Sequence, residues 1–181
     1  PIRALGTHVD ITERKLAEEA LKESEARYRA TFEKNSAVKL LIDPATGRII
    51  DANSAACAFY GYGWEALTKL CIWDINMLGE AETRRQMAQA TTEENTVFEF
   101  THRLASGAVR QVYVHSGPIM VEGKRYLYSI ITDITERKRA EADRDRLITA
   151  IEQAAESIVI TDKEGTILYV NPMFTQITGY T

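Results

Sequence analysis

LLIDPATGRIIDANSAACAFYGY, residues Leu40 to Tyr62, is the stretch from which the rest of the chain is read. Two short apolar runs, VKLLID and RIIDAN, flank DPATG, whose Asp, Pro and Gly favour a turn, so the opening is a β-hairpin. Asn53 stands where a helix N-cap belongs and Gly61 where a left-handed C-cap belongs, which predicts a short helix over SAACAFYG. The pattern returns near the other end. SIVITDKEGTILYVNPMFTQITGY, residues 157–180, puts Asp162 in the place of Asp43, Asn171 in that of Asn53 and Gly179-Tyr180 in that of Gly61-Tyr62. A second repeat, DITERK, occurs at Asp10–Lys15 and at Asp133–Lys138, each time ahead of a charged stretch. Self-similarity of this kind marks a chain assembled from repeated units.

Working outward, WEALTKLCIWDIN reads as short turns, and GEAETRRQMAQATTEE as a helix whose leading acids suit the positive end of its dipole. Three long strands follow, NTVFEFTHRLA, AVRQVYVHSGPIMV and KRYLYSIITDI, joined by hairpin turns at Ser106-Gly107 and Glu122-Gly123. Two strands, several helices and three strands predict an α+β domain with one antiparallel sheet and short helices on one face. ERKLAEEALKESEARYRATFE and ERKRAEADRDRLITAIEQ contain no Gly or Pro and are built of strong helix formers. Ala17, Leu21, Ser24 and Tyr28, with Phe32 beyond, make a narrow seam in the first. Ala140, Leu147, Ile151 and Ala154 make one in the second. Such seams suit a parallel coiled coil joining two protomers, with a solvated helix packed on its own domain as the alternative. The resulting division is 1–12, tail of a preceding unit; 13–33, linker helix; 34–135, one complete unit; 136–153, linker helix; and 154–181, the start of a following unit. The chain is expected to be a piece of a longer protein.

Composition narrows the function. At 45% hydrophobic and 27% charged residues the chain is ordinary for a globular protein. A net charge of −4 provides no basic face for nucleic acid. No run reaches the roughly 20 apolar residues of a membrane span, and no signal peptide opens the chain. Cys57 and Cys71 form no CxxC pair, which suggests a reducing, cytoplasmic setting, any membrane anchor of a longer parent lying elsewhere. Neither a nucleophile elbow, a Walker loop nor HExxH occurs, so these residues are read as non-catalytic.

Taken together, LLIDPATGRIIDANSAACAFYGY, HRLASGAVRQVYV and LYSIITDITERK resemble the PAS domain family with its C-terminal associated motif, sensory and signal-relay modules of multidomain bacterial signalling proteins. The resemblance implies a five-stranded antiparallel sheet in the order 2-1-5-4-3, with helices that enclose a small pocket. It also implies partners: a second copy of the chain, adjacent PAS units, and an output domain such as a histidine kinase or a diguanylate cyclase. Neither a phospho-acceptor His box nor GGDEF lies within these residues. DITERK then has a physical reading. An Asp followed three residues later by Glu is a capping-box pattern, so Asp133 is expected to accept from early helix N–H groups while Glu136 reaches back. Arg137 is four residues from Asp133, close enough to pair. Asp133, Thr135, Glu136 and Arg137 are accordingly assigned as the signal junction.

Strand alternation turns Phe98, Phe100 and His102 inward on one strand and Val112 and Val114 on the next, with Trp73 and Met87 covering them from the helical side. These seven are the candidate pocket lining. His102 beside Arg103 suggests an anchor for a carboxylate-bearing ligand, and His115 falls on the outer face. Haem-binding relatives take an axial His from the long helix before the third strand, but residues 79–94 contain none. Flavin-binding relatives carry NCRFLQ; LCIWDI places Cys71 at the reactive position, but Leu70 and Ile72 replace the Asn and the Arg, and no charge-assisted phosphate donor stands nearby. Both haem and flavin are therefore disfavoured, and Cys71 and Cys57 are read as small buried apolar residues. The cofactor is left unknown. Two readings stand: a sensory module with a small-molecule ligand, or a ligand-free dimerisation spacer.

Overall fold

A computed structural model describes residues 30–33, 36–93 and 96–180, with Lys15, Glu19, Lys22, Glu23 and Ala26 before them. The tail at 1–12 and the seam residues Ala17, Leu21, Ser24 and Tyr28 lie outside the described residues. The chain divides into two compact units, one ending at Asp133 and the other starting at Ile134.

In the first unit the order is β1 (Val38–Ile42), β2 (Ile49–Ala52), α1 (Ser54–Tyr60), α2 (Trp64–Leu67), α3 (Ile72–Ile75), α4 (Glu80–Thr92), β3 (Thr96–Arg103), β4 (Val109–Val121) and β5 (Lys124–Asp133). The strands form one antiparallel sheet in the order β2-β1-β5-β4-β3, as the resemblance implies. Asp43 closes the first hairpin: its carboxylate accepts from the Ala45 N–H at 3.0 Å, and its carbonyl from the Gly47 N–H at 2.7 Å. Gly47 has φ +70°, and the ring of Trp73 lies where a Cβ would stand, so two independent constraints call for glycine. The same Asp43 carboxylate meets Lys124 at 2.9 Å, tying this hairpin to the one between β4 and β5. Leu40, Ile49, Tyr60, Leu67, Ile75, Val112 and Leu127 are all but completely buried, and they are the heart of the core.

Asn53 holds more than its own helix. Its Oδ1 accepts from the N–H groups of Ala56 (2.9 Å) and Lys39 (3.0 Å), and its Nδ2 donates to the carbonyls of Phe32 (3.0 Å) and Ala37 (2.8 Å). The last carbonyls of a helix lack partners within it. Here three in succession, those of Thr31, Phe32 and Glu33 at the end of the preceding helical residues, accept from Lys39 Nζ (2.6 Å), Asn53 Nδ2 and Ser54 Oγ (2.9 Å). Phe32, placed beyond the seam by sequence, is buried and meets the Tyr128 ring at 6.2 Å.

The second unit contains α5 (Thr135–Glu152), β6 (Val159–Thr161), β7 (Ile167–Val170) and α6 (Pro172–Thr178). Its hairpin carries a register shift at Ile160/Thr161, as the first unit's does at Leu41/Ile42. Asn171 repeats the Asn53 pattern bond for bond. Oδ1 accepts from Ile158 (2.9 Å) and Phe174 (3.1 Å), and Nδ2 donates to Ile151 (3.2 Å) and Glu156 (2.9 Å). The start of α5 corrects one expectation. Ile134 occupies the N-cap, and its side chain makes no capping hydrogen bond. Asp133 remains in the ladder opposite Val112, with its carboxylate 3.4 Å from Arg110 Nε, because the sheet keeps that residue extended. Arg137 lies 3.9 Å from Glu141. Leu147 and Ile148 on α5 are exposed. Among the described residues no helix is long and apolar enough to cross a membrane.

Candidate functional site

Between the inner face of the sheet and α4 lies a cavity of about 40 Å³. Five of the seven expected residues line it: Phe98, Phe100 and His102 from β3, Val114 from β4, and Met87 from α4. Alternation along β3 and β4 put the strand residues there. Trp73 and Val112 stand elsewhere. Trp73 packs over Gly47 with the Arg84 guanidinium 4.3 Å from its ring, and Val112 is fully buried in the core.

Sequence reasoning missed the remaining polar lining. Ser116 and Ser129 share a hydrogen bond of 2.9 Å across β4 and β5. Carrying the same alternation two residues past Val114, and along Leu127, Ser129 and Ile131, would have found both. From α4, Thr83, Gln86, Met87 and Ala90 face the cavity at helical spacing. Asn76 lines it as well, its Oδ1 accepting from the Leu78 N–H at 3.0 Å.

The chemistry centres on His102, which is 1% exposed. Its Nδ1 lies 2.9 Å from the hydroxyl of Tyr60, which is itself fully buried. Burial holds the imidazole pKa down to about 4 and pushes the Tyr60 phenol far above its ordinary value, so both are neutral near pH 7. Among the described residues the Tyr60 hydroxyl hydrogen has this one acceptor. It donates to Nδ1, since the reverse bond would strand both the buried O–H and the Nε2 lone pair, whereas this one leaves only the Nε2–H unpaired. The imidazole proton then sits on Nε2, and that N–H has no partner among the described residues. Gln86 is its counterpart. Its Nε2 donates to Glu82 at 3.1 Å, leaving Oε1 buried and without a partner among the described residues.

This geometry replaces the carboxylate anchor suggested by sequence. Arg103 is exposed while its neighbour is buried, because successive strand residues point to opposite faces, and His102 carries no charge. Cys57 and Cys71 are half-buried rather than buried. Burial pushes both thiols up, with Glu33 adding to the effect at Cys57 and Asp74 at Cys71, so neither is a ready thiolate. No cluster of three or more His, Cys, Asp or Glu able to hold a metal ion occurs among the described residues.

A half-wrapped antiparallel sheet with this strand order, closing helices and a small internal cavity, defines the class of fold. The family described as PAS fold matches residues 36–139, and one described as PAS domain matches residues 145–181. The chain belongs to the PAS family. Diguanylate cyclase DgcM of Escherichia coli K12 is 42% identical over 120 residues, covering 63% of this chain and 28% of that protein. Sporulation kinase E of Bacillus subtilis strain 168 is 25% identical over 178 residues, covering 94% of this chain and 23% of that one. Among solved structures, the PAS domain of an HTR-like protein from Haloarcula marismortui aligns with a TM-score of 0.60 at 27% identity, covering 66% of this chain and 99% of that one. The chain spans less than a third of the length of these curated relatives.

Proposed function

We propose that the first unit is a non-catalytic sensory relay within a larger cytoplasmic signal-transduction protein, passing a change in its sheet to the linker helix that follows. The observation that carries this is β5. Leu127, Ser129 and Ile131 line the cavity, and the same strand runs, with Ile134 between them, into the 18 residues of α5. A rod of that length spans about 27 Å, so a small displacement at its first turn is enlarged at its far end. In this reading Asp133, Thr135, Glu136 and Arg137 are the exit junction, residues 34–135 are one complete PAS domain, and 154–181 begin another. The relatives support an output domain that is a diguanylate cyclase or a sensor kinase, and the higher identity to DgcM favours the cyclase.

The test uses a longer protein that includes the output domain. Asp133→Ala is expected to change basal cyclic di-GMP formation from GTP (or autophosphorylation, for a kinase) about fivefold or more, with the thermal stability of the PAS unit held. Output indistinguishable from the parent would overturn the relay. A second reading, a dimerisation spacer without a ligand, draws support from the exposed Ile119, Met120 and Val121 at the β4–β5 hairpin and from Leu147 and Ile148 on α5. Both readings share a homodimer formed through the linker helices and the PAS surface.

A further inference from the structure

The Nε2–H of His102 and the Oε1 of Gln86 are a buried donor and a buried acceptor, both without a partner among the described residues, on the lining of one cavity. Of the other hydroxyls on that lining, Thr83 donates to Gly79, and Ser116 and Ser129 share one hydrogen bond that uses one of their two hydrogens. Among the described residues no Lys, Arg, Asp or Glu lines the cavity, and apart from Asn76, whose Oδ1 accepts from the Leu78 N–H, the remaining walls are apolar. Burying an ion there would strip its water without supplying a counter-charge, so a charged ligand is excluded on energetic grounds. Size sets the other limit. At about 40 Å³, the cavity exceeds the roughly 10–15 Å³ that one water needs, yet falls well short of the roughly 150 Å³ that takes a benzene ring.

The geometry points to a binding site for a compact, uncharged molecule, a small primary amide or alcohol, that accepts a hydrogen bond from His102 and donates one to Gln86. This deepens the sensory reading and rests on it for its biological meaning, because it names the class of cue. The cue's contacts lie on β3 and α4, and the strand proposed to carry the response lines the same space. Tyr60 is a positioning residue. By donating to Nδ1 it fixes the tautomer that turns a donor toward the ligand.

Formamide and formate test the assignment, since they share size and shape but differ in charge and in the N–H donor. In the full chain with ¹⁵N-labelled histidine, formamide is expected to shift the His102 Nε2–H resonance saturably, while formate at equal concentration leaves it in place. Gln86→Met keeps the side-chain length and removes the acceptor, and it is expected to raise the apparent Kd for formamide about tenfold. The Nδ1 signal bonded to Tyr60 should stay unmoved in that variant, which separates lost recognition from misfolding. No saturable shift with formamide or methanol, an equal response to formate, or an unaltered response in Gln86→Met would each overturn the site. So would a bound water that neither probe displaces. Failure of this kind leaves the relay standing, because the relay is read from the output of the Asp133→Ala protein.

Discussion

A neutral histidine with one neutral neighbour makes a pH sensor of the fold's stability. The imidazole of His102 has a pKa of about 4 in the folded chain, against about 6.5 when unfolded. The unfolded chain therefore takes up a proton that the native one refuses. The stability concerned is whole above pH 6.5 and is lost as pH falls through that window toward 4. Tyr60 is the group bonded to the ring, and among the described residues no charged side chain lines the cavity beside it. Between pH 7 and 4.5 the chain should lose about 2 kcal/mol that the paired Tyr60→Phe/His102→Leu variant does not lose, as read by urea unfolding. Asp43 acts later. The Lys124 hydrogen bond lowers its pKa, so its contribution goes only as pH drops below the ordinary carboxylate range. At Gly47, an Ala side chain would meet the Trp73 ring in a backbone conformation of φ +70°. Gly47→Ala is expected to cost about 1–3 kcal/mol in chemical denaturation, and wild-type stability would mean that the ring gives way freely. Alternation exposed His102 to sequence reading, because a strand residue flanked by Phe98 and Phe100 at even spacing must share their face. Gln86 stayed hidden, since α4 has only Met87 and Ala90 as buried apolar markers and its stripe is too thin to announce itself.

At the level of elements, the polar grip of Asn53 on β1, on α1 and on the end of the preceding helical residues is the feature with the largest local effect. Asn53→Ala removes at least the four hydrogen bonds described and leaves buried backbone groups without partners, a loss of about 3 kcal/mol. Asn53→Asp keeps the acceptor and loses both donors, so it should fall between. Amide exchange at Lys39 and Ala56 is the measurement, and protection equal to the parent's in Asn53→Ala would refute the assignment. The capping role of Asn53 was legible from Ser54 onward. Its hold on Phe32 and Ala37 was not, because main-chain carbonyls distant in sequence leave no mark on residue identity. The same blindness misplaced the cap of α5. Asp133 has the right chemistry at the right spacing, but the β5 ladder keeps it extended, and Ile134 takes the cap instead.

For the whole molecule, the exposed apolar residues of α5 invite a partner. If the homodimer forms through this helix, Leu147→Asp should weaken self-association about tenfold in sedimentation equilibrium, while the PAS unit keeps its thermal stability. An unchanged association constant would move the contact to the sheet surface around Met120. The order of strands and helices was readable from turns and periodicity alone, whereas the pairing β2-β1-β5-β4-β3 entered through likeness to known relatives, since long-range partners cannot be read from local pattern. The paired asparagines bear on how such chains grow. A grip on carbonyl groups asks little of the side chains of the rod it holds, and ahead of Asn53 the one it does ask for is the buried Phe32 ring. Splicing an unrelated helix ahead of Ser36 should then leave the downstream module folded if an aromatic residue is kept at the Phe32 position, which makes these asparagines couplings suited to building by duplication.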